Sequence, residues 1–251
     1  MHGDWQGFET TLGAIQDMFA FNPLGMQGTA SEAMEHKLTC GSKSYARDKT
    51  KCRRGSRSPK ALATRVHKEM SLPEWVSNVV FVKKKPNGTW RMCVDFTDSN
   101  KAAHQDSYSL SKIDKLVDST TRHKLIIFMD YFSSNYLIPP SKKDHGKTAI
   151  IIHTDMDYYN VMSFGWINAG ATNQQLVNKI FAAFIEKKMQ VYMDDMITRS
   201  VKETNHVRDL EETFKTIRHY EMKLNPRKCT SRVRSLHQLA RKFLGYIIEE
   251  D

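Results

Sequence analysis

Most of the hydrophobic patterning in this chain lies between Pro73 and the C-terminal residue. Short apolar runs separated by turn residues predict six strands, at 79–84, 90–96, 125–130, 149–153, 158–162 and 242–249. Pro86, Asn87 and Gly88 separate the first two runs and favour a turn, so 79–96 is predicted to form a β-hairpin. Residues 191–198 predict a second, tighter hairpin.

Two stretches show the spacing of amphipathic helices. After Thr172, a good N-cap, apolar residues recur at helical spacing at positions 176, 180, 181, 184 and 185. A second helix is predicted to begin at Asn205, with apolar residues at 207, 210, 214, 217 and 222, and to end before Asn225-Pro226. This order of strands and helices predicts an α+β fold, with an antiparallel sheet and helices on one face.

Residues 1–70 have weak apolar periodicity and are expected to be a poorly ordered, basic N-terminal segment, with the folded domain at 71–251. The whole chain is 40% hydrophobic and 26% charged, which is an ordinary globular composition. Because no apolar run approaches about 20 residues and the first ten residues lack a signal-peptide core, an intracellular protein, cytoplasmic or nuclear, is expected.

The positive charge is concentrated in one block. Residues 41–60 contain eight lysines and arginines against Asp48 alone, and the net charge of the chain is +10. Such a block is usually a solvated tail. The alternative is contact with a nucleic-acid backbone; if about six charges touched phosphates, affinity would fall by about 10³ between 50 and 200 mM salt.

The candidate chemistry comes from three carboxylates in apolar surroundings. Asp194 and Asp195 interrupt the run VYMDDMI (191–197), and Asp130 ends the run LIIFMD (125–130). Ionised carboxylates in such a setting need a partner, commonly a metal ion. Two strands that each deliver acidic groups suit phosphoryl transfer with a divalent metal. The four cysteines lack zinc-finger spacing, so neither structural zinc nor a disulfide framework is expected.

Six short sequence segments occur in an order that is typical of one protein family. They are PEWVSNVVFVKKKPNGTWRMCVDFTDSN (73–100), FMD (128–130), FGWINAGAT (164–172), VYMDD (191–195), MKLNPRKC (222–229) and KFLGY (242–246). Together they closely resemble the reverse transcriptase of gypsy-type LTR retrotransposons, particularly plant copies. The resemblance implies a right-hand polymerase fold with fingers and palm that copies RNA into DNA. It also implies a template-primer and deoxynucleoside triphosphates as partners, while thumb and RNase H are expected to be absent.

By this resemblance, Asp130, Asp194 and Asp195 are the catalytic carboxylates and hold two Mg²⁺ ions, or Mn²⁺. Consecutive strand side chains point to opposite faces, so both acids of the pair can face Asp130 only in a turn. Asp130 and Asp194 are therefore the expected metal ligands, with Asp195 in support. The resemblance assigns nucleotide binding to Lys84, Arg91, Tyr131, Asn135, Tyr136, Phe164 and Gly165. It assigns primer or template contact to Trp166, Tyr192, Met193, Leu244, Gly245 and Tyr246.

Several of these assignments have plain structural alternatives. Lys84 and Arg91 could form a solvated hairpin rim, and Trp166 could be a core aromatic residue. Phe243–Tyr246 could be an ordinary hydrophobic strand with a turn glycine.

The chain also departs from the family pattern near Asp130. The family places an aromatic residue at the position of Asn135, where it excludes ribonucleotides, and here the aromatic is the next residue, Tyr136. Because a one-residue shift on a strand turns a side chain to the other face, we expect weakened sugar discrimination. Further departures are Ser134, Leu137, Pro139-Pro140, Ser163 and Asn173.

Two other functions compete with RNA-directed DNA synthesis. The first is a catalytically inactive retrotransposon relic that acts at most as a nucleic-acid-binding protein. The second is an unrelated metal-dependent phosphohydrolase with a Met-Asp-Asp turn, which would leave the other five blocks unexplained.

Overall fold

The chain divides into two compact units that are each discontinuous in sequence. The computed structural model describes residues 16–20, 67–69, 73, 75–83, 88, 90–110, 123, 125–132, 138–152, 155–200, 203–233, 242–243 and 246–247. We call one unit the aspartate unit; it comprises Met1–Ala30, Tyr108–Ser134 and Asn173–Asp251. The other, the hairpin unit, comprises Ser31–Ser107 and Asn135–Thr172.

The hairpin unit is built on a five-stranded mixed sheet of order β1-β6-β5-β2-β3. Its strands are β1 (His67–Glu69), β2 (Val76–Lys83), β3 (Trp90–Asp95), β5 (Ala149–Ile152) and β6 (Asp155–Tyr159). Only the pairing of β2 with β5 is parallel. A 3₁₀ helix (Lys142–Lys147) and a short helix α1 (Thr97–Ala102) complete the described part of this unit.

The predicted hairpin at 79–96 is confirmed, because β2 and β3 pair antiparallel from Asn78↔Asp95 to Lys83↔Trp90. Phe81 and Val82 are 43% and 52% exposed, and Trp90 is 65% exposed. These neighbours point to opposite faces of the ribbon, so both faces of its outer half meet solvent.

The aspartate unit is built on a four-stranded antiparallel sheet of order β7-β8-β4-β9. Its strands are β4 (Leu125–Asp130), β7 (Met189–Tyr192), β8 (Asp195–Ser200) and β9 (Thr230–Val233). The two central strands are buried on both faces, which explains why LIIFMD reads as an unbroken apolar run. The prediction of an α+β fold with antiparallel strands is confirmed.

Both predicted helices form, but each begins earlier than the sequence suggested. Helix α2 spans Ala169–Ile180 and helix α3 spans Glu203–His219. Thr172 does not cap α2; its hydroxyl donates to the carbonyl of Asn168 one turn earlier, so Thr172 lies within the first turn. Helix α3 ends at His219, and Glu221 (φ 52°) follows in the left-handed conformation. Both helices bury their apolar residues, including Leu176 and Leu210.

The prediction of one strand at 242–249 is wrong. Lys242–Phe243 (β10) pairs antiparallel with Tyr246–Ile247 (β11), so this region forms a short hairpin. The strand predicted at 158–162 is also displaced, because β6 begins at Asp155 and ends at Tyr159.

Part of the N-terminal segment takes regular pairings. Phe19 forms a parallel bridge with Leu224, and β1 pairs with β6. No helix in the described ranges combines the length and apolarity that crossing a bilayer requires.

Candidate functional site: the Asp130–Asp195 strand ends

Two adjacent strands bring the three predicted carboxylates together. Strands β4 and β8 pair antiparallel with Asp130 directly opposite Asp195, and directly opposed residues share a face of the sheet. Tyr192 of β7 also pairs with Asp195, so β7 and β8 are joined by the two-residue loop Met193-Asp194. The N–H of Tyr131 donates to the carbonyl of Asp194 at 2.8 Å, which carries the pairing one residue beyond β4.

The strand register places the two adjacent acids differently. Asp194 lies in the turn, as predicted for the pair, but Asp195 is the first residue of β8 and stands opposite Asp130. Asp195 is therefore the cross-strand partner of Asp130, while its role beside Asp130 and Asp194 as metal ligands stays a prediction.

The loop has a left-handed residue, and a glutamine holds it. Met193 has φ 53°, which suits the tight turn of a two-residue hairpin but is unfavourable for a residue with a side chain. Its N–H donates to Oε1 of Gln174 at 2.7 Å, and Nε2 of Gln174 donates to the carbonyl of Val191 at 3.1 Å. Gln174 is 2% exposed, so one buried amide ties the turn to helix α2.

Gln174 is itself fixed by a further pair of hydrogen bonds. Its Nε2 also donates to Oδ1 of Asn178, one helical turn later, at 2.9 Å. Nδ2 of Asn178 donates to the hydroxyl of Tyr108 at 2.5 Å. The loop that presents Asp194 is therefore held by a chain of polar side chains.

The three carboxylates concentrate negative charge in a half-buried place. Burial raises the pKa of Asp195 above its usual value, and the charges of Asp130 and Asp194 raise it further. The charge of Lys228 opposes this shift. A site in which carboxylates destabilise one another is suited to a cation.

A lysine supplies positive charge to Asp130. Nζ of Lys228 donates to Oδ2 of Asp130 at 2.8 Å, with the lysine side chain 62% exposed and that of Asp130 8% exposed. Burial lowers the pKa of Lys228, but its hydrogen bond and attraction to Asp130 outweigh this effect and raise it overall. The backbone N–H of Asn225 donates to the carbonyl of Asp130, and that of Lys228 donates to the carbonyl of Asn225. This turn is what brings Lys228 to the carboxylate.

In the hairpin unit, the loop of residues 164–167 is held by Asn100. Nδ2 of Asn100 donates to the carbonyl of Gly165 at 2.7 Å, and the N–H of Ile167 donates to Oδ1 of Asn100 at 3.0 Å. Gly165 has φ +101°, a conformation that residues with a side chain rarely adopt, so glycine is strongly favoured there. Phe164 is 62% exposed at this loop.

Comparison with known protein families identifies the family of this chain. Residues 82–248 match the family described as reverse transcriptase (RNA-dependent DNA polymerase). The chain belongs to the reverse transcriptase family. Among curated proteins, it is 31% identical over 172 residues to the Tf2-3 and Tf2-7 transposon polyproteins of Schizosaccharomyces pombe (strain 972 / ATCC 24843). This alignment covers 68% of the chain and 12% of each polyprotein, so the chain spans a small part of these relatives.

Solved reverse transcriptases share the fold. A prototype foamy virus protease-reverse transcriptase (CSH mutant) superposes with a TM-score of 0.74 at 18% identity, covering 97% of this chain and 32% of the viral chain. The foamy viral protease-reverse transcriptase in complex with an RNA/DNA hybrid gives 0.72 at 16% identity, covering 90% and 31%. At these low sequence identities, the structural similarity is evidence for the fold alone.

The structure reports on only some of the residues that the reverse transcriptase resemblance singled out. Tyr131 is 1% exposed, and its hydroxyl has no partner among the described residues, so it lies in the interior of the aspartate unit. Trp166 is 5% exposed, and its ring centre lies 4.9 Å from that of Phe96, which favours the core alternative. Tyr192 and Met193 are half-buried beside the turn. Five predicted residues lie outside the described residues: Lys84, Asn135, Tyr136, Leu244 and Gly245. Arg91 and Tyr246 are described by their backbone alone.

Gln174, Lys228 and Asn100 were missed as functional candidates, although all three lie within or beside the quoted blocks. Two carry no sequence signal, because a helical glutamine and a loop lysine are ordinary surface residues. Asn100 is the last residue of its sequence block, but its hydrogen bond to Gly165, 65 residues away, could not be predicted from the sequence.

Reverse transcriptases as a family use divalent metal ions. Within the ranges that the structure describes, no group of three or more histidine, cysteine, aspartate or glutamate side chains is arranged to ligate a metal ion. The charge distribution nevertheless favours a cation, since burial and the charges of Asp130 and Asp194 raise the pKa of Asp195.

Proposed function

We propose that this chain performs RNA-directed DNA synthesis, adding deoxynucleotides to a primer 3′-hydroxyl with two Mg²⁺ ions, for which Mn²⁺ could substitute. Asp130, Asp194 and Asp195 would hold these ions. The aspartate unit would be the palm, and the hairpin unit the fingers. The chain would be the reverse transcriptase segment of a gypsy-type LTR retrotransposon polyprotein, with a plant-like sequence. This proposal extends the family membership to a particular activity and its partners.

The observation that carries the proposal is the pairing of Asp130 with Asp195, with Asp194 in the adjoining two-residue turn. Asp130 and Asp195 stand opposite each other at two strand ends, and Asp194 precedes Asp195 in the turn, which supports a role for all three in holding metal ions. When bound, a pair of divalent ions activates the attacking hydroxyl and neutralises charge on the leaving pyrophosphate.

The chain's own residues orient these carboxylates and balance their charge. The sheet fixes Asp130 and Asp195, while Gln174 fixes the turn through Met193. Lys228 pairs with Asp130 and would have to move aside for a metal ligand to form there. Its side chain is 62% exposed, so it can turn toward solvent without disrupting the core.

The remaining contacts are proposed from the family resemblance. Lys84 and Arg91 would bind the triphosphate, and Phe164 and Gly165 would lie beneath the incoming nucleotide. Asn135 and Tyr136 would meet its sugar. Leu244, Gly245 and Tyr246, in the segment around the β10–β11 hairpin, would hold the primer.

The direct test is primer extension on an RNA template with Mg²⁺ and deoxynucleoside triphosphates. Asp194→Asn and Asp130→Asn are expected to abolish extension, because each removes a charged metal ligand. Asp98→Asn is the matched control, since Asp98 is an exposed acid paired with Lys101 on helix α1 of the hairpin unit.

Extension by the wild-type chain and by Asp98→Asn alone would support the proposal. Extension that survives Asp130→Asn would contradict the metal assignment. Template binding without extension would instead point to a nucleic-acid-binding relic.

A further inference from the structure

Residues Gln16–Ala20 attach to the segment that borders the catalytic strand, although they lie far upstream of the family match, which begins at residue 82. Gln16–Met18 form a 3₁₀ helix, and Phe19 makes an isolated parallel bridge to Leu224. We call residues 16–20 the N-terminal strap. Leu224 donates its N–H to the carbonyl of Met18 at 2.8 Å, and the N–H of Ala20 donates to the carbonyl of Leu224 at 3.0 Å. Met18 is 2% exposed and Ala20 is 5% exposed, so the strap is packed as well as paired.

The partner segment of the strap, residues 223–225, also touches the backbone of the catalytic strand. On its other side, the N–H of Asn225 donates to the carbonyl of Asp130 at 2.9 Å. The N–H of Phe132 donates to the carbonyl of Lys223 at 2.8 Å. Extended backbone presents its polar groups alternately to either side. Leu224 therefore bonds to the strap, while its two neighbours bond to the backbone of Asp130 and Phe132.

With the strap in place Leu224 is 1% exposed, and its N–H and its carbonyl both bond to the strap, so removing the strap would leave both groups without these partners. Buried backbone groups without partners are strongly disfavoured, so residues 223–225 would be expected to rearrange. That rearrangement would reach the catalytic strand through Asn225, and it would reach Lys228 through the turn that Asn225 begins.

The charged contacts of the strap matter less than its backbone. Arg218 binds both carboxylate oxygens of Asp17, at 2.9 and 3.1 Å, and its hydrogen bond lowers the pKa of Asp17. Nζ of Lys223 donates to the carbonyl of Asp17. The side chains of Asp17 and Arg218 are 59% and 49% exposed, and exposed pairs contribute little.

We infer that the N-terminal strap is a positioning element of the catalytic site, which fixes Asp130 and Lys228 through residues 223–225. This inference rests on the proposed function for its catalytic consequence, but its structural part can be measured without any activity. It assigns residues 16–20 to the polymerase domain.

The test compares full-length wild type with Ala20→Pro, which removes the N–H that donates to Leu224. Amide hydrogen exchange is expected to rise at least about tenfold at Leu224 and to rise also at Asn225 and Phe132. The amide of Arg199, bonded to the carbonyl of Lys188 elsewhere in the unit, serves as the internal reference. Met18→Asp is a second variant that should detach the strap from Leu224. Asp17→Asn is the control that is expected to leave amide exchange nearly unchanged.

The second readout is the Mn²⁺ concentration that gives half-maximal thermal stabilisation, which Ala20→Pro is expected to raise severalfold. Unchanged exchange at Asn225 and Phe132 would overturn the inference, whether or not Leu224 opens. An unchanged Mn²⁺ midpoint, with wild type responding, would also overturn it. If Mn²⁺ stabilises neither wild type nor variant, the proposed metal function fails, while the exchange data still decide whether the strap positions Asp130.

Discussion

Gln174 and Met193 are joined by a 2.7 Å hydrogen bond from the backbone of the turn to the side chain of helix α2. The bond matters because Met193 occupies the left-handed region, which a residue with a Cβ enters at a cost of about 1 kcal/mol or more. The buried amide therefore holds in place the strained turn that presents Asp194. Strained backbone that its surroundings maintain is frequent at functional sites.

Removing Gln174 is expected to loosen this turn. Gln174→Leu leaves the Met193 N–H and the Val191 carbonyl without their partner, at a cost of about 1–3 kcal/mol in the free energy of unfolding for each buried group. Gln174→Glu keeps an acceptor for Met193 but loses both donated bonds. We expect nucleotide incorporation to fall in both variants and stability to fall more in Gln174→Leu; urea denaturation and primer extension measure the two effects. Equal activity in wild type and Gln174→Leu would contradict the positioning role.

Asp195→Asn should separate stability from function. Burial and the neighbouring carboxylates raise the pKa of Asp195 in the folded protein, so its ionised form costs stability relative to the unfolded chain. An uncharged amide avoids this cost, and the melting temperature without metal is expected to rise. Stabilisation by Mg²⁺ should shrink if Asp195 is a ligand as proposed. A melting temperature that falls without metal would show that the carboxylate is instead stabilised by its neighbours.

Lys228→Met is expected to make stability depend on metal. The variant leaves Asp130, whose side chain is 8% exposed, without its cation, and an uncompensated buried carboxylate is destabilising. Mg²⁺ should therefore raise the melting temperature of Lys228→Met by more than it raises that of wild type. Arg227→Met is the matched control, because it removes a neighbouring exposed cation. The idea fails if the two variants respond to Mg²⁺ alike.

Stability is expected to fall in mildly acidic solution because of His206. His206 is 4% exposed, and Nδ1 lies 2.9 Å from Oγ of Ser200, which donates to Asp209. Burial lowers the pKa of His206 below 6.5, although Asp209 opposes this shift. The unfolded chain therefore binds more protons, and stability declines as pH falls from about 6.5 toward the folded pKa. Urea denaturation across this range should show a smaller decline for His206→Asn; His145, also with a lowered pKa, accounts for a part that remains.

Asn173 departs from the family pattern, and replacing it is expected to change the stability of the fold. It is 3% exposed, and its amide oxygen has no hydrogen-bond partner among the described residues. Asn173→Leu removes this buried polar atom at similar size, so the free energy of unfolding is expected to rise by about 1–3 kcal/mol. Thermal denaturation measures the change, and a lower stability would indicate that the amide is satisfied in solution.

Local patterns predicted the secondary elements of the aspartate unit well. Leu125–Asp130 and the hairpin around Asp194 were visible because buried central strands are continuous apolar runs with a sharp polar end. Helix starts were less accurate, since Thr172 could cap a helix or bond within one, and only the register with Asn168 decides. The apolar run at 242–249 predicts one strand because it contains no proline to mark the turn.

What local patterns could not supply is pairing between distant residues. The cross-strand partner of Asp130 could have been Asp194 or Asp195, and a one-residue change of register exchanges them. Lys228 reaches Asp130 across 98 residues, and the N-terminal strap reaches Leu224 across about 200. Such contacts depend on the whole topology, so neither spacing nor composition contains them.

The two-residue loop between Tyr192 and Asp195 makes chain length at this point more consequential than residue identity. Glycine or asparagine can replace Met193 in a left-handed position at little cost. A single inserted or deleted residue between Val191 and Met196 would instead either replace this turn or shift β8 by one residue, which would turn Asp195 to the opposite face of the sheet from Asp130. In-frame insertions and deletions at this loop should therefore inactivate the site more surely than most substitutions do.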